Sequence, residues 1–131
     1  TIVGGQGSDW LIGGTGADLF RFDAAVNSGV NTIEEFAVGE DKIGLSLDVF
    51  QGLSLTMGED AYGNAYVMGR WLSNATFKVG TSASTWEQRI VYDQATGSVY
   101  YDADGAGAQA QVLFAKVSAG TALSATSFLL I

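Results

Sequence analysis

Apolar residues near the start of the chain recur every nine positions, because Ile2, Leu11 and Phe20 occupy the same place in three successive segments. Glycine-rich polar stretches separate the short apolar runs around these residues. A fixed short period indicates stacked units that each contribute one small strand. The pattern therefore predicts a roll of short parallel strands, with the apolar positions packed between two sheets.

The polar stretch between the apolar runs is itself repeated. Residues 4–12 read GGQGSDWLI and residues 13–21 read GGTGADLFR, so both fit G-G-x-G-x-D-x-U-x, where U is apolar, without a gap. The glycines permit positive φ and let carbonyl oxygens turn inward, and the aspartate adds a charged oxygen. Calcium prefers six to eight oxygen ligands at about 2.3–2.6 Å, which such loops can supply. The alternative is a pair of glycine-rich turns that hold no ion, whereas a phosphate loop is disfavoured because neither G-x-G-x-x-G nor a Walker lysine is present.

The pattern changes along the rest of the chain. The nine-residue period stops beyond Phe22, and after residue 47 runs of four to eight alternating or apolar residues lie between Gly, Asn and Asp. Such spacing is typical of antiparallel β-structure. The clearest pair of strands covers residues 89–93 and 98–102, and Gly97 suits the left-handed position of the turn between them. Further strands are predicted over residues 64–68, 76–79 and 111–117.

The composition limits the classes of site and partner that the chain can have. The 131 residues include no histidine, cysteine or proline, and 14 acidic residues against 6 basic ones give a formal net charge of −8. The missing residue types exclude Ser-His and Cys-His nucleophile pairs, His/Cys zinc sites and disulfides. Nucleic acid is not expected as a partner, since phosphate binding requires clustered Lys and Arg. A hard cation is the ligand that this composition favours.

The two nonapeptides resemble the calcium-binding repeats at the C-terminal end of RTX proteins. Residues 31–36 and 39–46 are similar to the segment that closes the roll in serralysin-type proteases, although Asn31, Glu35 and Gly44 stand where that pattern commonly has Asp. Similar C-terminal regions occur in RTX adhesins and in the R-modules of mannuronan epimerases. Thr1-Ile2-Val3 is similar to the end of a further repeat, so upstream RTX repeats of a parent chain are expected partners.

The resemblance also implies a fold and a division of the chain. An all-β fold is expected, in which a short parallel β-roll over residues 1–48 continues into an antiparallel, β-sandwich-like cap over residues 49–131, the two forming one compact unit. The cap resembles the RTX C-terminal region in R-I-x-Y-D, T-G-x-x-Y-Y-D-A-D-G and a terminal F-x-x-I. In that family the C-terminal end is the signal for type I export through an ABC transporter.

The resemblance further implies the calcium ligands. In RTX proteins an ion lies between loops two repeats apart, held by carbonyls and by the repeat aspartates. One loop contributes Gly5, Gly7 and Asp9 to such a site, and the next loop contributes an equivalent set that Asp41 completes. Both loops would also face ions shared with upstream repeats. The candidate metal ligands are Gly4, Gly5, Gln6, Gly7, Asp9, Gly13, Gly14, Thr15, Gly16, Asp18, Asp23 and Asp41.

The partners of the first loop are expected near the end of the repeats. Phe22 and Ala24 could offer carbonyls there, and Asp23 or Asn27 a side chain. A third acidic motif, Asp102-Ala103-Asp104-Gly105, imitates the start of an EF-hand loop, but Leu113 stands where that motif has its bidentate Glu. This motif is interpreted as a hairpin loop, with an exposed calcium site as the alternative.

The function implied is a non-catalytic calcium-binding module that drives folding outside the cell and type I secretion of a larger bacterial protein. The alternative is an adhesin, biofilm or polysaccharide-binding module at a cell surface, since Trp10, Trp71 and Trp86 could stack on sugars. An enzyme would require a carboxylate pair in a cleft, for which the sequence offers only the doublets Glu34-Glu35 and Glu59-Asp60 outside the calcium motifs.

Overall fold

A computed structural model describes residues 1–131, apart from the side chains of Thr56 and Met68. Twelve β-strands and one three-residue 3₁₀ helix, Ala125–Ser127, form the described structure. The predicted all-β fold class is therefore confirmed. The strands are β1 (Ile2–Val3), β2 (Trp10–Ile12), β3 (Leu19–Phe22), β4 (Asn31–Glu34), β5 (Lys42–Leu45), β6 (Thr56–Glu59), β7 (Ala65–Gly69), β8 (Phe77–Val79), β9 (Ile90–Asp93), β10 (Ser98–Tyr101), β11 (Val112–Lys116) and β12 (Phe128–Leu130).

The first five strands alternate between two sheets and so form the predicted parallel roll. One sheet has the order β1-β3-β5-β12, and the other has the order β2-β4-β11-β10-β9-β8. The register aligns Phe20 with Ile43 in the first sheet and Leu11 with Ile33 in the second. All four of these side chains are buried between the sheets. The apolar position of each repeat therefore forms the core of the roll.

The roll continues for two strands, β4 and β5, beyond the nonapeptides, although the nine-residue period does not. Trp10 pairs with Thr32, and Leu19 pairs with Lys42, so each strand of the repeats has a parallel neighbour later in the chain. These later strands follow longer loops, of residues 23–30 and 35–41. The extra residues enter the loops, while the strands keep the register that buries their apolar side chains.

The predicted hairpin of the second half is present. Strands β9 and β10 pair in antiparallel fashion, and β11 pairs with β10 in the same way. Gly97 has φ 76° in the turn, and a Cβ there would collide with the carbonyl of Val117, so both backbone and space require glycine. Two pairings are parallel instead: β8 with β9, and β11 with β4. The β11–β4 pairing joins the antiparallel strands and the roll into one continuous sheet.

The segment at the end of the chain belongs to the roll sheet. Strand β12 pairs in parallel with β5, which aligns Phe128 with Ile43 and Leu130 with Leu45. On its other side β12 pairs with a short extended segment, since the Leu130 N–H donates to the Arg70 carbonyl at 2.6 Å and the Leu72 N–H donates to the Phe128 carbonyl at 3.2 Å. Residues on both sides of position 48 thus contribute to both main sheets.

The core between the two sheets contains a run of aromatic contacts. Phe114 makes edge-to-face contacts with Phe22 at 5.3 Å and with Phe50 at 5.0 Å between ring centroids. Phe50 in turn contacts Tyr101 at 5.3 Å. Since these rings come from both halves of the chain, the same core supports the roll and the antiparallel strands.

Two further observations concern the surface. Strands β6 and β7 form a separate antiparallel hairpin, from which Tyr62 and Tyr66 are exposed. The residues that the structure describes include no helix with the length and apolar character that a membrane crossing requires.

Candidate metal centre

The loops of the roll meet in pairs at its two edges. Loops L1 (residues 4–9) and L3 (residues 23–30) run from the first sheet to the second and lie together at one edge. Loops L2 (residues 13–18) and L4 (residues 35–41) run back and lie together at the other. At the first edge the backbones touch, because the Gly7 N–H donates to the Ser28 carbonyl at 3.0 Å. The predicted pairing of loops two repeats apart is therefore the pairing that the fold produces.

At the L2–L4 edge, two aspartates come together. The carboxylate of Asp41 is fully buried, and its Oδ1 accepts the Asp18 N–H at 2.9 Å while its Oδ2 accepts the Ala37 N–H at 2.8 Å. The Oδ2 of Asp18 is buried without a hydrogen-bond partner. A buried carboxylate oxygen without a partner is costly unless a donor or a cation reaches it. This oxygen is therefore a candidate ligand atom.

The L1–L3 edge repeats this arrangement with one substitution. The Oδ1 of Asn31 accepts the Asp9 N–H at 3.0 Å, so Asn31 holds Asp9 as Asp41 holds Asp18. The Oδ2 of Asp9 is again buried without a partner. The first edge thus has a similar framework, with an amide where the second has a carboxylate.

The glycines shape both loops in the same way. Gly5 and Gly14 have φ 79° and 81°, and Gly7 and Gly16 have φ 100° and 97°, so L1 and L2 share one backbone conformation that other residues rarely adopt. Gly4 and Gly13 are required for space instead. A Cβ on Gly13 would lie 2.6 Å from the Asp18 Oδ2, and one on Gly4 would lie 3.1 Å from the Asp9 Oδ2. The glycines therefore keep room around the two unpartnered carboxylate oxygens.

A small cavity of about 20 Å³ lies between L1 and L3. A single water-sized particle needs about 10–15 Å³, so the cavity can hold one. The residues that line it include Gly5, Gly7, Asp23, Ala24 and Asn31. Of the first predicted site, Gly5 and Gly7 from one loop and Phe22 to Ala24 from the other line this cavity, whereas Asp9 is not among the lining residues.

The other predicted residues are placed as follows. Asp23 lines the cavity through its position in L3, while its carboxylate forms a partly exposed ion pair with Arg21 at 2.9 Å. Asn27 is exposed and lies outside the cavity lining. Gln6 and Thr15 are exposed at the tips of L1 and L2, where only their backbone oxygens could face an ion in the roll.

The donor set consists mainly of backbone oxygens. Among the side chains that the structure describes, no group of three or more His, Cys, Asp or Glu residues comes together. A cation at either edge would rely on glycine-loop carbonyls with one or two carboxylates, which suits a hard ion such as Ca²⁺. The orphaned oxygens of Asp9 and Asp18 and the space kept by Gly4 and Gly13 fit such an ion.

Asn31 is the residue of this site that the sequence analysis did not assign. A signal for it was present, because Asn31-Thr32-Ile33 and Asp41-Lys42-Ile43 both keep the D-x-U spacing of the nonapeptides. Following that half of the repeat through the longer loops would have identified Asn31 as the partner of Asp9.

The acidic motif at residues 102–105 lies in the loop between β10 and β11, which is bound to the segment before β9, since the Ala106 N–H donates to the Thr85 carbonyl at 3.0 Å. The Asp104 N–H donates to the Asp102 Oδ1 at 3.3 Å, and the Gln109 N–H donates to the Asp104 Oδ2 at 3.0 Å. Burial raises the pKa of Asp102, whereas the bond from the Gln109 N–H lowers the pKa of Asp104. These bonds agree with the interpretation as a hairpin loop. The Oδ1 of Asp104 is nevertheless buried without a hydrogen-bond partner, so the alternative of a calcium site there stays a prediction.

The three tryptophans are exposed on different elements. Trp10 belongs to β2, Trp86 lies in the connection before β9, and Trp71 has the Lys42 Nζ 5.5 Å from its ring centroid. No contact among the three is found in the described structure.

Comparison with known proteins adds one match. The family model described as Peptidase M10 serralysin C terminal matches residues 1–78 of the chain. The matched region contains strands β1 to β7 and all four loops of the two edges, and it ends within β8. No curated protein and no solved structure matches the chain.

Proposed function

This chain belongs to the Peptidase M10 serralysin C-terminal family, and we propose on that premise that it is a non-catalytic, calcium-dependent folding and secretion module of a larger secreted bacterial protein. The predicted resemblance to serralysin-type C-terminal regions is confirmed by the match, and such domains are associated with calcium. The assignment of RTX repeats, of particular ligands and of an export role is part of the proposal.

The observation that carries the proposal is the pair of orphaned carboxylate oxygens at the edges of the roll. Asp9 and Asp18 each bury an Oδ2 that no described donor reaches, beside glycines whose missing Cβ leaves room for an ion. The carbonyls of Gly5, Gly7, Gly14 and Gly16 would complete the ligand set with these carboxylates. Bound calcium would supply positive charge to these oxygens and link the paired loops.

The loops explain why folding would depend on the ion. Glycine-rich segments lose more conformational freedom on ordering than other segments do, so L1 and L2 oppose folding. Buried or half-buried carboxylates at the edges add repulsion, and the whole chain carries a net charge of −8. The free energy of cation binding to such loops becomes free energy of folding. Extracellular modules bind calcium at about 10⁻⁴–10⁻³ M, so cytosolic levels would leave the sites largely unfilled.

Calcium should therefore raise the melting temperature of the protein, and magnesium at equal concentration should not. A single site at 100 times its Kd adds about 2.7 kcal/mol, or about 10 °C in Tm for a chain of this size. Magnesium prefers octahedral geometry at about 2.0–2.1 Å and keeps its water, so the loop carbonyls suit it poorly. Circular dichroism melts in chelator, calcium and magnesium measure this.

A matched pair of variants makes the experiment specific. Asp18→Asn keeps the side-chain shape and should reduce the calcium effect, whereas Asp48→Asn alters an exposed carboxylate outside loops L1 to L4 and should not. Identical melting curves with calcium and with chelator would refute the proposal.

The secretion role concerns the terminal segment. Removal of Phe128 to Ile131 should abolish export of a fusion by a type I exporter. Because Phe128 and Leu130 are buried in the roll sheet, the deletion also weakens the fold. Phe114→Ala is the control, since it weakens the core while the terminal segment stays intact, and it should be exported normally. Full export of the truncated fusion would show that the segment is structural only.

A further inference from the structure

The two edges of the roll share one framework but differ in charge. Asn31 and Asp41 occupy equivalent places, each accepting the N–H of the repeat aspartate one turn of the roll earlier, at 3.0 Å and 2.9 Å. Both side chains are buried, at 6% and 0% exposure. The pair therefore differs mainly in that one side chain is an amide and the other a carboxylate.

The difference bears directly on the unpartnered oxygens. At the L2–L4 edge the backbone of Asp18, the residue that carries the orphaned Oδ2, is bound by a second carboxylate, that of Asp41. At the L1–L3 edge the backbone of Asp9 is bound by the amide of Asn31 instead. The Nδ2 of this amide is directed toward Gly4, since a Cβ built on Gly4 would lie 2.7 Å from it. An N–H₂ group is a donor and cannot bind a cation.

The carboxylate of Asp23 in L3 does not supply the charge that Asp41 provides at the other edge. Asp23 lines the cavity by its position, but its carboxylate is held by Arg21 at 2.9 Å. The L1–L3 edge is therefore one negative charge short of the L2–L4 edge. Calcium sites of similar geometry differ in affinity by orders of magnitude according to the charge of their ligands and the rigidity of the site.

We propose that the amide of Asn31, set against the carboxylate of Asp41, makes the two edges unequal, so that a divalent cation binds tightly at the L2–L4 edge and weakly at the L1–L3 edge. This inference rests on the proposed calcium-binding function and adds a ranking of the sites and the residue that sets it. The weak edge responds to a range of calcium concentration in which the tight edge is already filled.

The test is Asn31→Asp, which supplies the missing charge with little change in shape and keeps the acceptor for the Asp9 N–H. With calcium chloride as the probe, isothermal titration calorimetry should show the weaker affinity rising on the order of tenfold. Without calcium, the new carboxylate faces that of Asp9 and should lower the melting temperature. With saturating calcium, the melting temperature should equal or exceed that of the unaltered protein.

Asn27→Asp is the matched control, because it makes the same chemical change in the same loop at an exposed position outside the cavity lining. It should leave both the calcium affinity and the calcium-free melting temperature nearly unchanged. Asp41→Asn should lower the tighter affinity and so bring the two classes of site together. If Asn31→Asp is folded only with calcium, a calcium titration of its folding replaces calorimetry as the measure of affinity.

The possible outcomes separate the inference from the proposed function. Equal calcium affinities for Asn31→Asp, Asn27→Asp and the unaltered protein would overturn the inference and leave calcium binding intact. Tighter binding in Asp41→Asn would reverse the ranking and overturn it as well. Absence of calcium binding from every variant and from the unaltered protein would overturn the proposed function, and the inference with it.

Discussion

Replacing Asp41 by alanine should destabilise the protein strongly even when no calcium is present. The Asp41 carboxylate accepts two backbone N–H groups, from Asp18 and Ala37, and is fully buried. Hydrogen bonds to a charged acceptor contribute about 1.5–3 kcal/mol each, so the two together account for about 3–6 kcal/mol. The substitution also removes the cost of burying the carboxylate charge, which offsets part of this loss. We therefore expect a net destabilisation of about 3 kcal/mol. The free energy of unfolding of an ordinary domain is about 5–15 kcal/mol, so the variant should lose a substantial fraction of its stability.

The measurement is urea denaturation in excess chelator, which removes any contribution from metal. Asp41→Asn should lose about half as much stability, because Asn31 shows that an amide in the equivalent place still accepts the N–H of the aspartate one turn earlier. Asp48→Ala, at an exposed carboxylate, should stay within about 0.5 kcal/mol of the unaltered protein. A loss below about 1 kcal/mol for Asp41→Ala would refute the reasoning, since the two N–H groups would then have found other partners.

Three further predictions follow from the same structure. Asp18→Ala should reduce calcium affinity more than Asp9→Ala does, because only Asp18 has a second carboxylate beside it; calorimetry of both variants decides this, and a larger loss in Asp9→Ala would contradict it. Phe114→Ala should cost about 3–5 kcal/mol in urea denaturation, since the ring is 2% exposed and makes two edge-to-face contacts. Burial raises the pKa of Tyr92, so the folded state holds this proton more firmly than the unfolded state, and stability should fall as the pH rises above about 10. Alkaline denaturation of Tyr92→Phe should lack that part of the pH dependence.

The local features of the fold could be predicted from the sequence because they depend on neighbouring residues. The spacing of Leu11 and Phe20 gives the core of the roll, since each repeat carries its own strand and loop. The turn at Gly97 required a left-handed glycine between two apolar runs, and φ 76° is observed there. Such signals lie close together in the sequence, and they can be recognised without knowing which strands pair.

The features that could not be predicted depend on pairings across the chain. The hydrogen bond from the Asp9 N–H to Asn31 depends on the register of β4 against β2, so the spacing around Asn31 indicates it only when the repeat is followed through the longer loop L3. The parallel pairing of β8 with β9 is similarly a result of the whole sheet, since both strands alone fit an antiparallel arrangement. Loop lengthening in L3 and L4 hid the continued repeat from a search at a fixed period.

The place of β12 has a consequence for the order in which the molecule can fold. Phe128 pairs with Ile43, so the parallel sheet needs a strand from more than half the chain away. Contacts so distant in sequence are slow to form, because the entropy of the intervening chain is lost before the contacts contribute any stabilisation. The nonapeptide turns and the β9–β10 hairpin can form from local contacts, whereas the β5 edge stays open until the terminal segment arrives. We expect this segment to be the last part of the chain to become protected from solvent, so it remains available to other proteins for as long as folding is incomplete.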